Sequence, residues 1–296
     1  MLFNRARARP PAILLTVTAV WGLTFVQVKD AVERYPLFAF LALRFAIAVA
    51  TLAPLAALRL RRLGREGVVG AAGAGGLLAG GYALQTAGLE RTSVSSAGFV
   101  TGMYVVLTPL LALYRARVAR AAWAGVALAT LGLGLLSGIH TGSPEGDLLV
   151  LGGAAVYALQ IVLMEHYAPR HDALAFTLAE MIAACAALLA IALAGGQVGM
   201  PHGWVVWSAL LVTGIFASAL GFLAQTWAQR RTSATRTALA FSLEPVWAAL
   251  FGITIAGDRL GTAAWAGCAV IMAGILVAEP AAAAVLARLV RRPDPA

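Results

Sequence analysis

Trp21, Tyr104, Tyr157 and Glu244 stand deep inside long apolar runs. Counted at 1.5 Å per helical residue from the ends of those runs, they lie about 15 Å in, close to the middle of a bilayer. A carboxyl group at that depth, beside the backbone-interrupting Pro245, suits carrying a proton or holding a cationic ammonium group. Rings bearing an indole N–H or a hydroxyl suit stacking on a small amphiphilic ligand while hydrogen-bonding its polar end. Each residue belongs to a stripe at helical spacing. Trp21, Thr24 and Val28 share a face, as do Tyr157, Gln160 and Met164; others are Tyr82 with Gln85, Ser218 with Gly221, Phe222 and Gln225, Thr101 with Tyr104 and Thr108, and Thr237 with Phe241 and Glu244.

A plain alternative exists for every stripe, since polar and aromatic side chains also hold membrane helices together. Interfacial belts do not account for the four deep residues, because belt aromatics sit at headgroup depth. The set as a whole reads as the lining of a cavity: Trp21, Thr24, Tyr82, Gln85, Thr101, Tyr104, Tyr157, Gln160, Phe222, Gln225, Phe241 and Glu244. For Glu244 the alternative is a kink residue bonded to backbone. Arg44 and Glu180 are the other intramembrane charges; each lies about 10 Å in from opposite faces, which argues against a mutual salt bridge and for local polar partners or snorkelling. His166 and His171, with Glu165 and Asp172, lack a converging ligand set for a metal.

The elements that position these groups follow from composition. Of 296 residues, 61% are hydrophobic and only 12% charged, with mean hydropathy +0.85, far from the roughly 25% charge of soluble domains. Ten apolar stretches of about 20 residues are read as spanning helices, at 12–29, 37–57, 68–89, 94–114, 122–139, 147–166, 173–194, 204–228, 235–256 and 262–279. Barrel strands would alternate, and these runs do not. The first stretch has a basic start but no small-residue cleavage site, so it reads as a retained span. Of 22 lysines and arginines, 17 fall in one alternate set of termini and loops; Lys29, Arg34, Arg91 and Arg259 fall in the other set, and Arg44 within the second stretch. The positive-inside rule therefore places both termini in the cytoplasm, and the net charge of +9 calls for no nucleic acid. Cys185 and Cys268 form no disulfide framework.

The chain also repeats itself. QTAGLERTS at 85–93 recurs as QTWAQRRTS at 225–233; AWAG at 122–125 recurs at 264–267, and Gly132 matches Gly274. At an offset of 136, Trp21 pairs with Tyr157, Phe40 with Phe176, Arg44 with Glu180 and Thr24 with Gln160; at 140, Tyr82 pairs with Phe222, Gln85 with Gln225, Thr101 with Phe241 and Tyr104 with Glu244. A duplicated unit of five spans, an odd number, enters the membrane from opposite sides in its two copies. The expected architecture is thus an all-α integral membrane protein of ten transmembrane helices in two inverted five-helix repeats, residues 1–140 and 141–280, with a basic cytoplasmic tail over 281–296. Such inverted repeats serve alternating access.

Trp21-Gly22 in the first stretch, Arg44-Phe45 in the second, Leu243-Glu244-Pro245 in the ninth, and Gly257-Asp258-Arg259-Leu260 before the tenth resemble the EamA branch of the drug/metabolite transporter superfamily, whose members include YddG-type amino-acid exporters. The resemblance spans nearly the whole chain. It implies ten helices, cytoplasmic termini and a central cavity lined by the first, third, fourth, sixth, eighth and ninth. Two departures from the family pattern are YRARVAR at 114–120, where Gly-Glu-Arg is common, and Asp258 in place of Glu.

The expected function is secondary transport, with export of amino acids or related small metabolites across the inner membrane, and amphipathic drug efflux as the alternative. A membrane-embedded enzyme would show HExxH, GxSxG or an Asp-rich pair, and a pump would show a Walker A loop; none is written here. A lipid scramblase is the remaining class. No cofactor or metal is implied, the partners are a small-molecule substrate and the bilayer, and the chain is expected to act as a monomer or weak homodimer.

Overall fold

The computed structural model describes residues 10–92, 94–112, 120–137, 143–251, 254 and 261–278. Arg5, Arg7 and Arg9, most of YRARVAR, the Gly257–Leu260 motif and the 281–296 tail lie outside them. Among the described residues the structure is helical, without strands: α1 (Pro10–Val32), α2 (Leu37–Ala56), α3 (Gly64–Leu89), α4 (Val94–Thr101), α5 (Tyr104–Ala112), α6 (Arg120–Ser137), α7 (Pro144–Tyr167), α8 (Ala173–Ala194), α9 (Trp204–Leu211), α10 (Gly221–Gln229), α11 (Ala234–Phe241), α12 (Glu244–Phe251) and α13 (Thr262–Ala278). A π-helical segment, Val212–Leu220, joins α9 to α10. Six helical stretches are long and apolar enough to cross a membrane. The other four expected spans are the pairs α4–α5 and α11–α12, and the shorter helices α6 and α13.

Local chemistry sets the ends. Ser143 accepts from the Gly146 backbone N–H, with Pro144 as the first helical residue and Glu145 and Asp147 in the first turn of α7. Asp172 caps α8 by accepting from Ala175 N, and Ser233, the last residue of the repeated phrase, caps α11. In its second copy the phrase is thus a helix end, a turn and the next helix's cap.

The fourth and ninth stretches, expected as continuous helices, are each broken at an equivalent place, after Thr101 and after Phe241. Pro245 has no N–H to offer the carbonyl four residues back, Phe241 O, and Tyr104 Oη lies 2.9 Å from that oxygen instead. The α4–α5 junction tightens to shorter turns, Met103 N to Val100 O and Val105 N to Gly102 O.

Exchange of the halves preserves the main helix pairings. α3 lies on α7 as α10 lies on α1; α5 on α7 as α12 on α1; α3 on α8 as the π segment on α2; α2 pairs with α8 and α6 with α13. In the last pair a Cβ on Gly132 would meet Gly267 O at 2.7 Å, and one on Gly274 would meet Gly125 O at 2.7 Å. These matches run in opposite directions along the two helices, so α6 and α13 are antiparallel and the halves are inverted. Backbones this close need glycine, and the small-residue faces of the two helices meet within one chain.

The π segment records an inserted residue. In its first turn, the equivalent close approaches are Gly75 to Glu180 O and Gly214 to Arg44 O, 139 positions apart; just past its end, Gly81 meets the Tyr157 ring and Gly221 meets Trp21 Nε1, 140 apart. The second copy therefore carries one more residue here than the first, taken up as a π bulge.

Candidate substrate cavity

All twelve residues expected to line a cavity do line one, together with Arg44, Phe25, Val28, Leu78, Thr86, Leu89 and Ile161. Eleven of the twelve are buried and Tyr157 is half-buried. They come from α1, α3, the two broken spans, α7 and α10, with Arg44 supplied by α2. The cavity volume is about 60 Å³, room for a few waters and below the roughly 300 Å³ at which small-molecule sites begin. A ligand the size of an amino acid therefore requires the walls to move apart.

One wall is aromatic. Trp21 lies between Phe222, with ring centroids 5.4 Å apart, and Phe241, at 4.8 Å. Tyr82 meets Phe222, Tyr157 and Phe45 edge-on. The π bulge fixes Trp21: Gly221 N–H donates to Phe216 O, five residues back, and Trp21 Nε1 donates to the bypassed Ala217 O at 2.9 Å.

Among the described residues one basic and one acidic side chain face the cavity, Arg44 and Glu244, each held by neutral partners. Arg44, 2% exposed, donates from Nε to Ser218 Oγ at 2.8 Å and from Nη2 to Tyr82 Oη at 2.9 Å, with its guanidinium carbon 4.4 Å from the Tyr82 ring centroid. No carboxylate pairs with it among the described residues. Only two of its five N–H groups are used. Arg44 and Glu180 do find separate local partners; that Arg44 reaches the cavity was not anticipated, although an arginine inside an apolar stretch was the available signal. Glu244 Oε2 lies 3.1 Å from Tyr104 Oη. That hydroxyl also lies 2.9 Å from Phe241 O and has one hydrogen. When it donates to Phe241 O, a protonated Glu244 can donate to it; when Glu244 is ionised, the hydrogen is drawn to the carboxylate and Phe241 O loses its donor. Proton occupancy at Glu244 is thereby tied to the break in the ninth span.

The two repeated glutamines sit in different networks. Gln85 donates to Thr101 Oγ1 at 3.0 Å and accepts from Tyr157 Oη at 3.0 Å. Gln225 donates from Nε2 to Gln160 Oε1 at 3.0 Å and to Gln229 Oε1 at 2.9 Å. Thr24 bonds back to Trp21 O. Beyond the cavity, ion pairs join the halves at both faces: Arg59 with Asp172 and Arg170 with Glu66 at the face of the arginine-rich loops, and Arg91 with Glu145 at the other, where Thr92 also donates to Asp147 at 2.7 Å. Exposed pairs of this kind stabilise by at most about 1 kcal/mol each, so they contribute little to holding either face together. His171 bonds Tyr167 O and Asp172 is occupied by Arg59 and the cap of α8.

A helical membrane protein of two inverted halves around a buried polar cavity is a membrane transporter by architecture. The chain belongs to the EamA-like transporter family, whose sequence profile matches it twice, over residues 11–138 and 144–278. It is 30% identical over 268 residues to an uncharacterized transporter of Archaeoglobus fulgidus, a match covering 89% of this chain and 83% of the relative. It is 26% identical to the uncharacterized transporter YyaM of Bacillus subtilis, over 67% of this chain and 68% of that one. Among solved structures, a chain described only as a protein crystal structure shares the fold, with TM-score 0.75, 22% identity and coverage of 94% and 99%.

Proposed function

We propose that this transporter moves zwitterionic small molecules, amino acids first among them, by alternating access and in the direction of export. One observation carries the reading: the cavity holds a cation and a carboxyl group that are partnered by neutral side chains and not by each other. A substrate carboxylate takes the free N–H groups of Arg44, whose planar fork matches it. The substrate ammonium faces Glu244, and an apolar side chain lies against Trp21, Phe222 and Phe241. All twelve lining residues take part as contacts or as their supports. The units are 1–140 and 141–280, with 281–296 as a basic tail; both termini and the arginine-rich loops face the cytoplasm of a bacterial-type plasma membrane, and the chain works without cofactor as a monomer or weak homodimer. Gln85 and Gln225 stand at the two mouths.

The test is uptake into liposomes containing the purified protein, comparing each amino acid with its decarboxylated amine and its deaminated acid. Amino acids are expected to be carried in preference to both fragments. Equal flux of amine and amino acid would exclude a role for Arg44 in substrate recognition, and preferential efflux of amphipathic cations would favour drug transport.

A further inference from the structure

Glu180 is a second carboxyl group in the membrane, outside the cavity lining, and the transport reading leaves it unused. It is fully buried, at 0% exposure, in the first half of α8, where its backbone carbonyl abuts Gly75. Oε1 accepts from Gln160 Nε2 at 2.8 Å, and Oε2 has no partner. Counted from the start of α8, it lies about 10 Å in from the arginine-rich face. Leaving a carboxylate oxygen without donor or counter-ion in hydrocarbon is costly unless the group also exists as the neutral acid.

No charge from the neighbouring elements offsets it. α2 supplies Arg44, held by Ser218 and Tyr82. α3 supplies Glu66, paired with Arg170, and Tyr82, bonded to Arg44; Arg65 is exposed. The turn after α2 supplies Arg59, paired with Asp172, and the exposed Arg61 and Arg62. α7 supplies Tyr157, bonded to Gln85, and at its end the half-buried Glu165, His166 and Tyr167. Cys185, on α8 itself, donates to Ala42 O, while α10 and the π segment carry no charged residue. Among the described residues none of these bonds Glu180. A metal cation is a poor occupant, because the polar group facing the carboxylate is an amide N–H and not an oxygen.

The partner of Glu180 gives its protonation state a reach. An amide has one donor end and one acceptor end, so the chain Gln229, Gln225, Gln160, Glu180 has a direction. As it stands, Gln225 donates to Gln160 Oε1, Gln160 donates to Glu180, and Gln229 donates onward to Ile161 O at 2.8 Å. A proton added to the Glu180 carboxylate at the unpartnered Oε2 breaks no bond and leaves Oε1 an acceptor, now neutral. The bond from Gln160 Nε2 then drops from charge-assisted to neutral strength, roughly half, and Gln160, with Gln225 bonded to it, is held less firmly. Both Gln160 and Gln225 line the cavity.

We propose that Glu180 is a proton-binding site, distinct from Glu244, whose occupancy is read by the Gln160–Gln225 pair, so that taking up a proton loosens the arginine-rich end of the cavity. The proton-coupling half of this proposal rests on the transport reading; the proton site does not, and the two are tested separately.

Infrared difference spectra of the purified protein in lipid, titrated with pH, report protonated carboxyl groups directly and need no substrate. A titrating carbonyl band is expected that is lost in Glu180→Gln, persists in Glu244→Gln, and is shifted in its titration midpoint by Gln160→Leu, which keeps the carboxyl but removes its bond. Coupling is read with a radiolabelled amino-acid mixture in liposomes. Glu180→Gln is expected to retain downhill exchange while losing at least tenfold of the accumulation driven by an imposed proton gradient. Wild-type and Glu180→Gln spectra that titrate alike would overturn the proton site, whether or not any amino acid is carried. An intact band with gradient-driven accumulation unchanged in Glu180→Gln would overturn the coupling. Should Glu180→Gln fail to fold, the midpoint shift in Gln160→Leu decides: no shift refutes the proposal.

Discussion

Replacing Arg44 by glutamine removes the only cation that lines the cavity among the described residues, while leaving an amide that ends about where Nε meets Ser218 Oγ at 2.8 Å and that gives up the Nη2 bond to Tyr82 Oη. A hydrogen bond to a charged group contributes about 1.5–3 kcal/mol net. At 2% exposure the guanidinium is desolvated, and a ligand carboxylate would gain near the upper end of that range. Since about 1.4 kcal/mol is tenfold, the apparent affinity for an amino acid should fall roughly 10- to 150-fold. Affinity for the corresponding amine, which has no carboxylate, should change little. The assay is competition: inhibition of labelled amino-acid uptake by the unlabelled amino acid and by its amine, in wild type and Arg44→Gln. The ratio of the two inhibition constants should collapse toward one. Thermal stability should hold or rise, because a buried unpaired cation is removed. If Arg44→Gln keeps the wild-type ratio, the carboxylate does not bind at Arg44 and the zwitterion assignment is wrong.

Tyr104→Phe leaves Phe241 O and Glu244 Oε2 without the hydroxyl they share; a loss of about 1–3 kcal/mol in stability is expected, with a displaced pH profile of transport, both measurable on the solubilised and reconstituted protein. Gly132→Ala and Gly274→Ala should lower the melting temperature by similar amounts, since each new methyl meets a backbone oxygen at 2.7 Å and overpacking costs about 1–3 kcal/mol; a large effect from only one would contradict the two-fold relation. In a protein lacking Cys185 and Cys268, a cysteine at Arg231 should react in intact cells with a permeant maleimide and resist an impermeant one, whereas a cysteine at Gln197 should react with both; the reverse pattern would place the arginine-rich face outside.

Much of the molecule is legible along the chain because a bilayer imposes its demands locally. Every spanning segment must satisfy its own backbone in hydrocarbon, so length and hydropathy reveal helices, and the duplication written in QTAGLERTS and QTWAQRRTS reveals inversion because five is odd. The twelve lining residues were likewise readable, as stripes at helical spacing that coincide between the halves. The broken fourth and ninth spans were not, apart from the hint at Pro245: the Phe241 carbonyl can leave its helix because Tyr104, from the other half, is there to bond it. Nor was the π bulge, an inserted residue visible only once Gly75 and Gly214 are seen against Glu180 and Arg44. Sequence periodicity assigns a residue to a face; it carries no term for what stands opposite. That Arg44 turns to Ser218 and lines the cavity while its repeat counterpart Glu180 stands behind the lining residue Gln160 is decided by partners 174 and 20 residues distant, and only folding brings them within bonding range.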